Sequence, residues 1–388
     1  MTKNSLSAEA SAKAGKIILG IIIAAVIIGG ICWAARREAA IPVAEEDVIK
    51  IGAILPMTGN AAIYGESMRQ GAELATEQIN KLNSKKVEII FEDSKGDPKE
   101  ALSAFNKLKD NTNVVITAIS GVVLAIAPLT DEQKIVLMNV GAKNPKISEA
   151  GDYIFSNIPN SDFDEKVFAD FVKNDLKLNK VAIIYGNNDY GVGTSDVFEK
   201  FFVSAGGTIA TKEAYGNDAT DFRTQLTKIK LVKPEGIFIV GYKEQGLLLK
   251  QAYELGINAK WLAPEGFAQP EIVEIAGVAA EGVIYHAPGL NPNSVEEPAR
   301  SFFAEYSARF GKQPDIYAAN SFDAIRLFNQ AILEVGDNSE KIKEWLYNVK
   351  SWLSVSGKIS FDSNGDVIKP ILIMTVKNGE FVPYEENK

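Results

Sequence analysis

The sequence predicts an α/β fold built from two doubly wound lobes with parallel sheets. Residues 49–55 form a short apolar run, which a parallel strand buried on both faces requires, and Gly59 and Gly65 mark the loop that follows. Apolar side chains then repeat at spacings of four and three over residues 68–82, which indicates an amphipathic helix. Because this strand and helix pattern recurs in two series along 388 residues, we expect two lobes.

The first series alternates apolar runs with amphipathic stretches. A helix is expected to begin after Asp97, because Asp97 can cap it, Pro98 suits the first helical position and Glu100 occupies the capping-box position. Strands are expected at residues 49–55, 87–91, 114–119 and 135–139, and a helix at 121–131.

The second series begins after Pro159 and ends in a stretch of helices. Helices are expected at residues 163–176, 193–205, 221–230, 246–255, 270–276, 298–310, 316–335 and 339–349. Strands are expected at 181–185, 237–240, 260–263, 282–285, 355–361 and 370–376. The last three helices have no strand between them, so we expect them to pack onto the first series.

The N-terminal region contains a candidate membrane segment. Residues 17–35 carry no charged side chain over a length that can cross a bilayer, and Lys13 and Lys16 precede them, which favours a cytoplasmic N-terminus at 1–16. An uncleaved anchor, a cleaved signal and lipidation of Cys32 are all open, and all three place the remaining chain outside the cytoplasm. Residues 36–47 are expected to form a solvated tether.

Composition excludes several classes of function. The formal charge of -9 argues against nucleic acid as a partner, since phosphates require a basic surface. Cys32 is the only cysteine and His286 the only histidine, which removes thiolate and histidine metal sites and histidine-based catalytic triads. We therefore predict a binding module rather than an enzyme, with no metal and no cofactor.

Polar and aromatic residues follow several of the predicted strands. Ser120 lies where a strand turns into a helix, so it can hold a ligand carboxylate or simply cap the helix. Tyr190 and Tyr242 each follow a strand and can close over a ligand or pack internally. Glu265, between Pro264 and Gly266, can take an ammonium group or lie in a solvated turn.

At these loops the chain resembles the leucine/isoleucine/valine-binding protein family, the amino-acid receptors of ABC importers. The similarity covers about residues 48–385. It rests on Ile49-Lys50-Ile51-Gly52-Ala53, Thr58-Gly59, Tyr64-Gly65, Gly71-Ala72, Asp97-Pro98-Lys99-Glu100-Ala101, Tyr190-Gly191, Gly241-Tyr242, Ala263-Pro264-Glu265-Gly266, Ala280-Glu281-Gly282, Phe361-Asp362 and Gly365-Asp366, taken in order.

The resemblance implies the type I periplasmic-binding fold, in which two lobes joined by three crossings close over the ligand. Residues 48–160 and 288–355 would form the first lobe, and 161–287 and 356–388 the second. The crossings would lie near 156–162, 286–290 and 356–361.

The resemblance also implies roles for individual residues. Ser120, backbone groups around Gly141 and the side chain of Lys143 would take the ligand carboxylate. Glu265 would take the α-ammonium, Tyr190 and Tyr242 would close over the ligand, and Tyr64 would line the pocket for its side chain.

Lys143 departs from the family pattern, which has a hydroxyl or small residue there. Its ammonium can pair with the ligand or point to solvent, and the sequence leaves both readings open. The function expected is capture of a small amino acid, branched-chain or otherwise aliphatic, or a related carboxylate, for an ABC permease outside the cytoplasmic membrane. A ligand-binding sensor subunit with a separate signalling partner is the alternative.

Overall fold

The computed structural model describes residues 48–83 and 85–385. The predicted transmembrane segment 17–35, Cys32 and the tether 36–47 lie outside the described residues. Within the part of the chain that is described, no helix combines the length and the apolar character that a bilayer crossing requires.

The first sheet has five parallel strands in the order β2-β1-β3-β4-β5. All residues of β3, β4 and β5 are buried. The strands are β1 (Ile49–Leu55), β2 (Val87–Asp93), β3 (Val114–Thr117), β4 (Val136–Asn139) and β5 (Ile154–Ser156).

The second sheet has the order β14-β13-β10-β9-β8-β6-β7, with β13 and β14 antiparallel at one edge. A separate antiparallel hairpin is formed by β11 and β12. The strands are β6 (Lys180–Gly186), β7 (Thr208–Tyr215), β8 (Gly236–Val240), β9 (Lys260–Ala263), β10 (Ile284–Pro288), β11 (Trp352–Ser354), β12 (Gly357–Ile359), β13 (Ile371–Lys377) and β14 (Glu380–Pro383).

The helices lie on the faces of the two sheets. The described α-helices are α1 (Ala62–Leu82), α2 (Pro98–Leu108), α3 (Ser120–Gln133), α4 (Ser161–Asn174), α5 (Asp189–Ser204), α6 (Arg223–Val232), α7 (Gln245–Glu254), α8 (Pro270–Ala276), α9 (Ala299–Phe310), α10 (Ile316–Val335) and α11 (Ser339–Tyr347). Short 3₁₀ helices are found at Pro145–Glu149, Glu265–Phe267 and Gly277–Ala280.

Each sheet has its own apolar core, and we call the two halves the first and second lobes. The first core takes in α9, α10 and α11 together with the first sheet, as the sequence predicted for these helices. The second sheet is covered by two clusters, one on each face. The α/β prediction with parallel sheets is therefore confirmed, and the antiparallel edge at β13 and β14 is the exception.

Local sequence explains how two of these elements are fixed. The Asp97 carboxylate accepts hydrogen bonds from the amides of Lys99 (2.8 Å) and Glu100 (3.1 Å), so the predicted cap of α2 is confirmed. Gly71 lets α1 pack directly on α10, because a Cβ at this position would lie 2.0 Å from the carbonyl oxygen of Ala318.

The structure differs from the predicted elements in three places. Strands β5, β7 and β14 were not predicted; β7 is a half-exposed edge strand whose polar residues hide the pattern of a buried strand. The expected strand at 355–361 is replaced by the hairpin of β11 and β12. Residues Ile359, Phe361 and Val367 pack in the first core, so the chain enters the second sheet only after Val367, later than predicted.

Candidate functional site

A cavity lies between the two lobes, beyond the ends of the parallel strands. Its empty volume is about 310 Å³, part of which is open to solvent. Side chains and backbone from both lobes line it: Tyr64, Met68, Ile119, Ser120, Gly141, Tyr190, Tyr242, Gly266 and Tyr317.

The structure thus brings together five of the seven predicted site residues around one cavity. The other two, Lys143 and Glu265, are the predicted charged residues and are not among its lining. Four lining residues were missed by the sequence. Tyr317 lies near the start of α10, for which the sequence pattern predicted only a packing role. Met68 belongs to the apolar stripe of α1.

Four of the nine lining residues are tyrosines. The Tyr64 ring stands edge-on to Tyr317, with centroids 5.1 Å apart, and to Tyr242 at 5.8 Å. Tyr190 stacks on Tyr242 at 5.5 Å. Burial and then the Glu265 carboxylate raise the pKa of the Tyr190 and Tyr317 phenols, so these hydroxyls stay protonated and can donate hydrogen bonds.

Tyr64 also bridges the lobes. It lies in α1 of the first lobe, and its hydroxyl donates a 2.7 Å hydrogen bond to the carbonyl oxygen of Gly266 in the second. The next residue, Gly65, can only be glycine, because a Cβ at this position would lie 2.0 Å from the Pro56 carbonyl oxygen. The loop therefore holds α1 close to the end of β1 and sets Tyr64 toward the cavity.

Ser120 is the first residue of α3 and is buried. Its hydroxyl oxygen accepts hydrogen bonds from the amides of Lys143 (3.3 Å) and Asn144 (3.2 Å). The hydroxyl donates no hydrogen bond within the described chain, so its proton is free to be donated to a ligand. The amino end of α3 adds a partial positive charge at this point.

Two further features shape the same wall. Ile119, directly before Ser120, has φ 69° and ψ 119°, which is a strained backbone for a β-branched residue and is typical of a functional site. The amide of Gly141 already donates to Asn139 Oδ1 at 3.1 Å. This amide is therefore engaged within the protein, and the use of other backbone groups around Gly141 for a ligand carboxylate stays a prediction.

Behind the cavity lies a buried group of charged side chains. Lys143 is 1% exposed, so the alternative in which it points to solvent is wrong. Its ammonium contacts the carboxylate of Asp164 and lies 3.7 Å from Glu265 Oε2. Lys143 follows β4 in the first lobe, whereas Asp164 lies on α4 in the second, so this ion pair crosses between the lobes.

His286 and Glu165 form a second pair in this group, with His286 Nε2 and Glu165 Oε1 2.9 Å apart. Burial works to lower the pKa of His286, but the Glu165 carboxylate outweighs it and the pKa is raised. For Lys143 burial also acts to lower the pKa, and Asp164 and Glu265 together raise it. Both cations therefore favour their charged forms.

Several atoms of this group lack a hydrogen-bond partner in the described chain. Both carboxylate oxygens of Glu265 and the hydroxyl of Tyr190 are buried and without such a partner. Glu265 directly precedes the lining residue Gly266, and its charge acts on the pKa of three cavity tyrosines. The Glu265 carboxylate can therefore accept hydrogen bonds next to the cavity, and the Tyr190 hydroxyl can donate one.

Asp164, Glu265 and His286 also place one potential metal-ligand atom each within 4.8 Å of one another. Two of these side chains already face the ammonium of Lys143. A metal ion would have to displace that ammonium, so the residues are better suited to an internal cation than to a metal.

A wider polar cleft opens outside the cavity and shares Ile119, Tyr190 and Tyr242 with it. Asn60 of the first lobe donates a hydrogen bond to the backbone carbonyl of Asn217 in the second. This contact joins the lobes at the mouth, while Tyr64 joins them at the cavity.

Known proteins resemble this chain over nearly all of its described length. The leucine-, isoleucine-, valine-, threonine- and alanine-binding protein of Pseudomonas aeruginosa is 28% identical over 352 residues, which cover 88% of this chain and 91% of that protein.

Among solved structures, the leucine-binding protein LivK of Thermotoga maritima superimposes with a TM-score of 0.81 at 29% identity, over 87% of this chain and 98% of that one. The branched-chain amino acid substrate-binding protein LivJ of Streptococcus pneumoniae, solved with isoleucine, gives 0.80 at 27% identity, over 86% and 97%.

These relatives are binding proteins, so the prediction of a binding module rather than an enzyme is confirmed. Their fold is the two-lobed type I fold that the resemblance implied. The family model for periplasmic binding proteins matches residues 48–380, and the chain belongs to that family.

Proposed function

We propose that this chain is an extracytoplasmic solute-binding protein that encloses a small carboxylate between its two lobes and delivers it to an ABC permease. A branched-chain amino acid is the first candidate, because the relatives named above bind leucine, isoleucine and valine. Residues 17–35 are proposed to anchor the chain in the membrane, with everything from residue 36 outside the cytoplasm.

The observation that carries this proposal is the set of unpartnered polar groups beside the cavity. Buried polar groups in folded proteins nearly always have a hydrogen-bond partner, so the Tyr190 hydroxyl and the Glu265 carboxylate point to a polar ligand. Ser120 and the amino end of α3 suit a ligand carboxylate. The tyrosine rings, Met68 and Ile119 suit a short apolar side chain.

Delivery to a permease would follow from closure of the lobes. The contacts that join the lobes around the cavity include Tyr64 to Gly266, Asn60 to Asn217 and Lys143 to Asp164. A ligand that touches both lobes adds to these contacts and so favours the closed form, which a permease can distinguish from the open one.

A thermal-shift panel of free amino acids, their amides and small carboxylates tests the proposal. Ligand at a hundred times its dissociation constant should add about 2.7 kcal/mol to the free energy of unfolding. Ser120→Ala should remove the response because it deletes the donor for the ligand carboxylate. Ser204→Ala, on an exposed helix end, is the matched control and should keep it. A flat response to every compound overturns the proposal.

A further inference from the structure

We infer that Lys143 determines the class of carboxylate that this site accepts. Its ammonium lies 3.7 Å from Glu265 Oε2, the acceptor expected for a ligand ammonium, so the ligand bound best is a carboxylate without a cationic amino group. Deaminated, 2-oxo or 2-hydroxy acids of short aliphatic chains belong to this class. The inference rests on the proposed function and narrows the ligand of the same site.

The geometry places an internal cation beside the acceptor that a zwitterion would need. The Lys143 ammonium lies 3.7 Å from Glu265 Oε2 and also contacts the carboxylate of Asp164. All three side chains are at most 1% exposed, so water does not screen their charges. Lys143 thus compensates part of the charge of Glu265 within the protein.

The group contains three carboxylates, Asp164, Glu165 and Glu265, and two cations, Lys143 and His286. Glu165 is paired with His286, and Asp164 with Lys143. One oxygen of each of these two carboxylates faces a cation, while Asp164 Oδ1 and Glu165 Oε2 lack a hydrogen-bond partner in the described chain. Asp164 and Glu265 share Lys143 as counter-ion, and Glu265 is the more distant of the two from its ammonium.

A ligand ammonium at Glu265 would meet two opposing forces. It would be attracted by the carboxylate and repelled by the Lys143 ammonium, which lies within 4 Å of that same carboxylate. At comparable distances the repulsion offsets much of the attraction, so a ligand ammonium is bound less strongly than at a carboxylate without an internal cation. The amino group would still lose its hydration on burial, and this cost stands against the reduced attraction.

An uncharged group at the same ligand carbon fits the site better. A 2-oxo oxygen can accept a hydrogen bond from the Tyr190 hydroxyl, which is buried and lacks a partner in the described chain. Tyr190 lies next to Gly266: a Cβ added to Gly266 would be 3.0 Å from the Tyr190 hydroxyl oxygen. The carboxylate end would still be held by Ser120.

Matched ligands of one carbon skeleton test this inference on the full chain by titration calorimetry. L-leucine, 4-methyl-2-oxopentanoate and 4-methylpentanoate differ only at the second carbon, and the valine and alanine series repeat the comparison for smaller side chains. We expect the best deaminated acid to bind more tightly than its amino acid, by about tenfold. An amino acid that binds as tightly as its deaminated partners, or more tightly, overturns the inference while the proposed function stands.

Binding of no compound in the three series overturns the proposed function, and the inference with it. The two failures are therefore distinguishable in one set of titrations.

A double variant supplies a second, independent readout. Lys143→Met with Asp164→Asn removes the internal cation together with the carboxylate it contacts, and leaves Glu265 without an internal counter-ion. Glu265 should then accept a ligand ammonium, and the preference should shift toward L-leucine by about tenfold or more. Lys146→Met, at a nearby exposed lysine, is the control and should keep the original preference. An unchanged preference in the double variant contradicts the assignment of Lys143.

Discussion

The ammonium of Lys143, on the first lobe, contacts the carboxylate of Asp164, on the second, and both side chains are shielded from solvent. This ion pair is made only when the lobes are together. It therefore contributes to the equilibrium between open and closed forms in addition to shaping the ligand site.

Lys143→Met should shift the lobes toward the open form. The change leaves Asp164 buried without its cation, which costs about 3–5 kcal/mol in a closed protein, and opening lets water reach the carboxylate. Small-angle scattering of the ligand-free protein should show a larger radius of gyration than for the wild type. Lys143→Met with Asp164→Asn should return toward the wild-type value. Identical scattering curves and thermal midpoints for the wild type and the single variant would contradict a bridging role.

Tyr64→Phe and Tyr190→Phe should differ in their effect on the stability of the ligand-free protein. Removal of the Tyr64 hydroxyl leaves the Gly266 carbonyl without its 2.7 Å hydrogen bond, at a cost of about 1–3 kcal/mol in the closed form. The Tyr190 hydroxyl is buried without a partner in the described chain, so its loss should leave the thermal midpoint unchanged or higher.

Ligand affinity should fall in both tyrosine variants, by about tenfold for a lost hydrogen bond. For Tyr64→Phe the loss comes from weaker closure, and for Tyr190→Phe from a lost contact with the ligand. Differential scanning calorimetry with and without ligand separates the two. An equal drop in the ligand-free thermal midpoint for both variants would show that Tyr190 has a structural partner instead.

Local patterns predicted the parts of this molecule that depend on neighbours in sequence. The Asp97 cap, the apolar run of β1 and the stripe of α1 are set by residues a few positions apart. Ser120, Tyr190 and Tyr242 each follow a predicted strand. Because parallel strands end at the same edge of a sheet, their positions predicted a shared site, and all three line one cavity.

What the sequence left open depends on contacts between distant residues. Lysine on a loop is usually exposed, and the burial of Lys143 follows from Asp164 and Glu265, which arrive on other elements of the second lobe. Tyr317 reaches the cavity from a helix far along the chain, so no local spacing indicates it. The edge strand β7 alternates too weakly to be distinguished from a loop.

Protonation of Lys369 should make the free energy of unfolding depend on pH. Its ammonium donates hydrogen bonds to the Asn157 carbonyl (2.8 Å), Asn157 Oδ1 (3.1 Å), Asn320 Oδ1 (3.1 Å) and the Ser356 hydroxyl (2.9 Å). Burial lowers its pKa to about 8, although Asp323 acts in the opposite direction. The hydrogen bonds of Lys369 link Asn157, Asn320 and Ser356, and Asn157 and Ser356 lie at the predicted crossings between the lobes.

The sign of the effect follows from proton binding. In the unfolded chain this lysine has its ordinary pKa near 10.4, so between about pH 8 and 10.4 the unfolded state binds a proton that the native state does not. The wild type should therefore gain stability relative to Lys369→Met as the pH rises through this range, by up to about 3 kcal/mol. Effects of tyrosine titration are common to both proteins and cancel in the difference.

Urea unfolding of the wild type and Lys369→Met at pH 7, 8, 9 and 10 measures this difference. Lys358→Met, at an exposed lysine of β12, is the matched control and should run parallel to the wild type. Below pH 8 both states of the wild type carry the proton, so the difference between wild type and Lys369→Met should be flat there. Parallel curves up to pH 10 would show that the Lys369 ammonium keeps its proton in the native state, with its four acceptors compensating for burial in full.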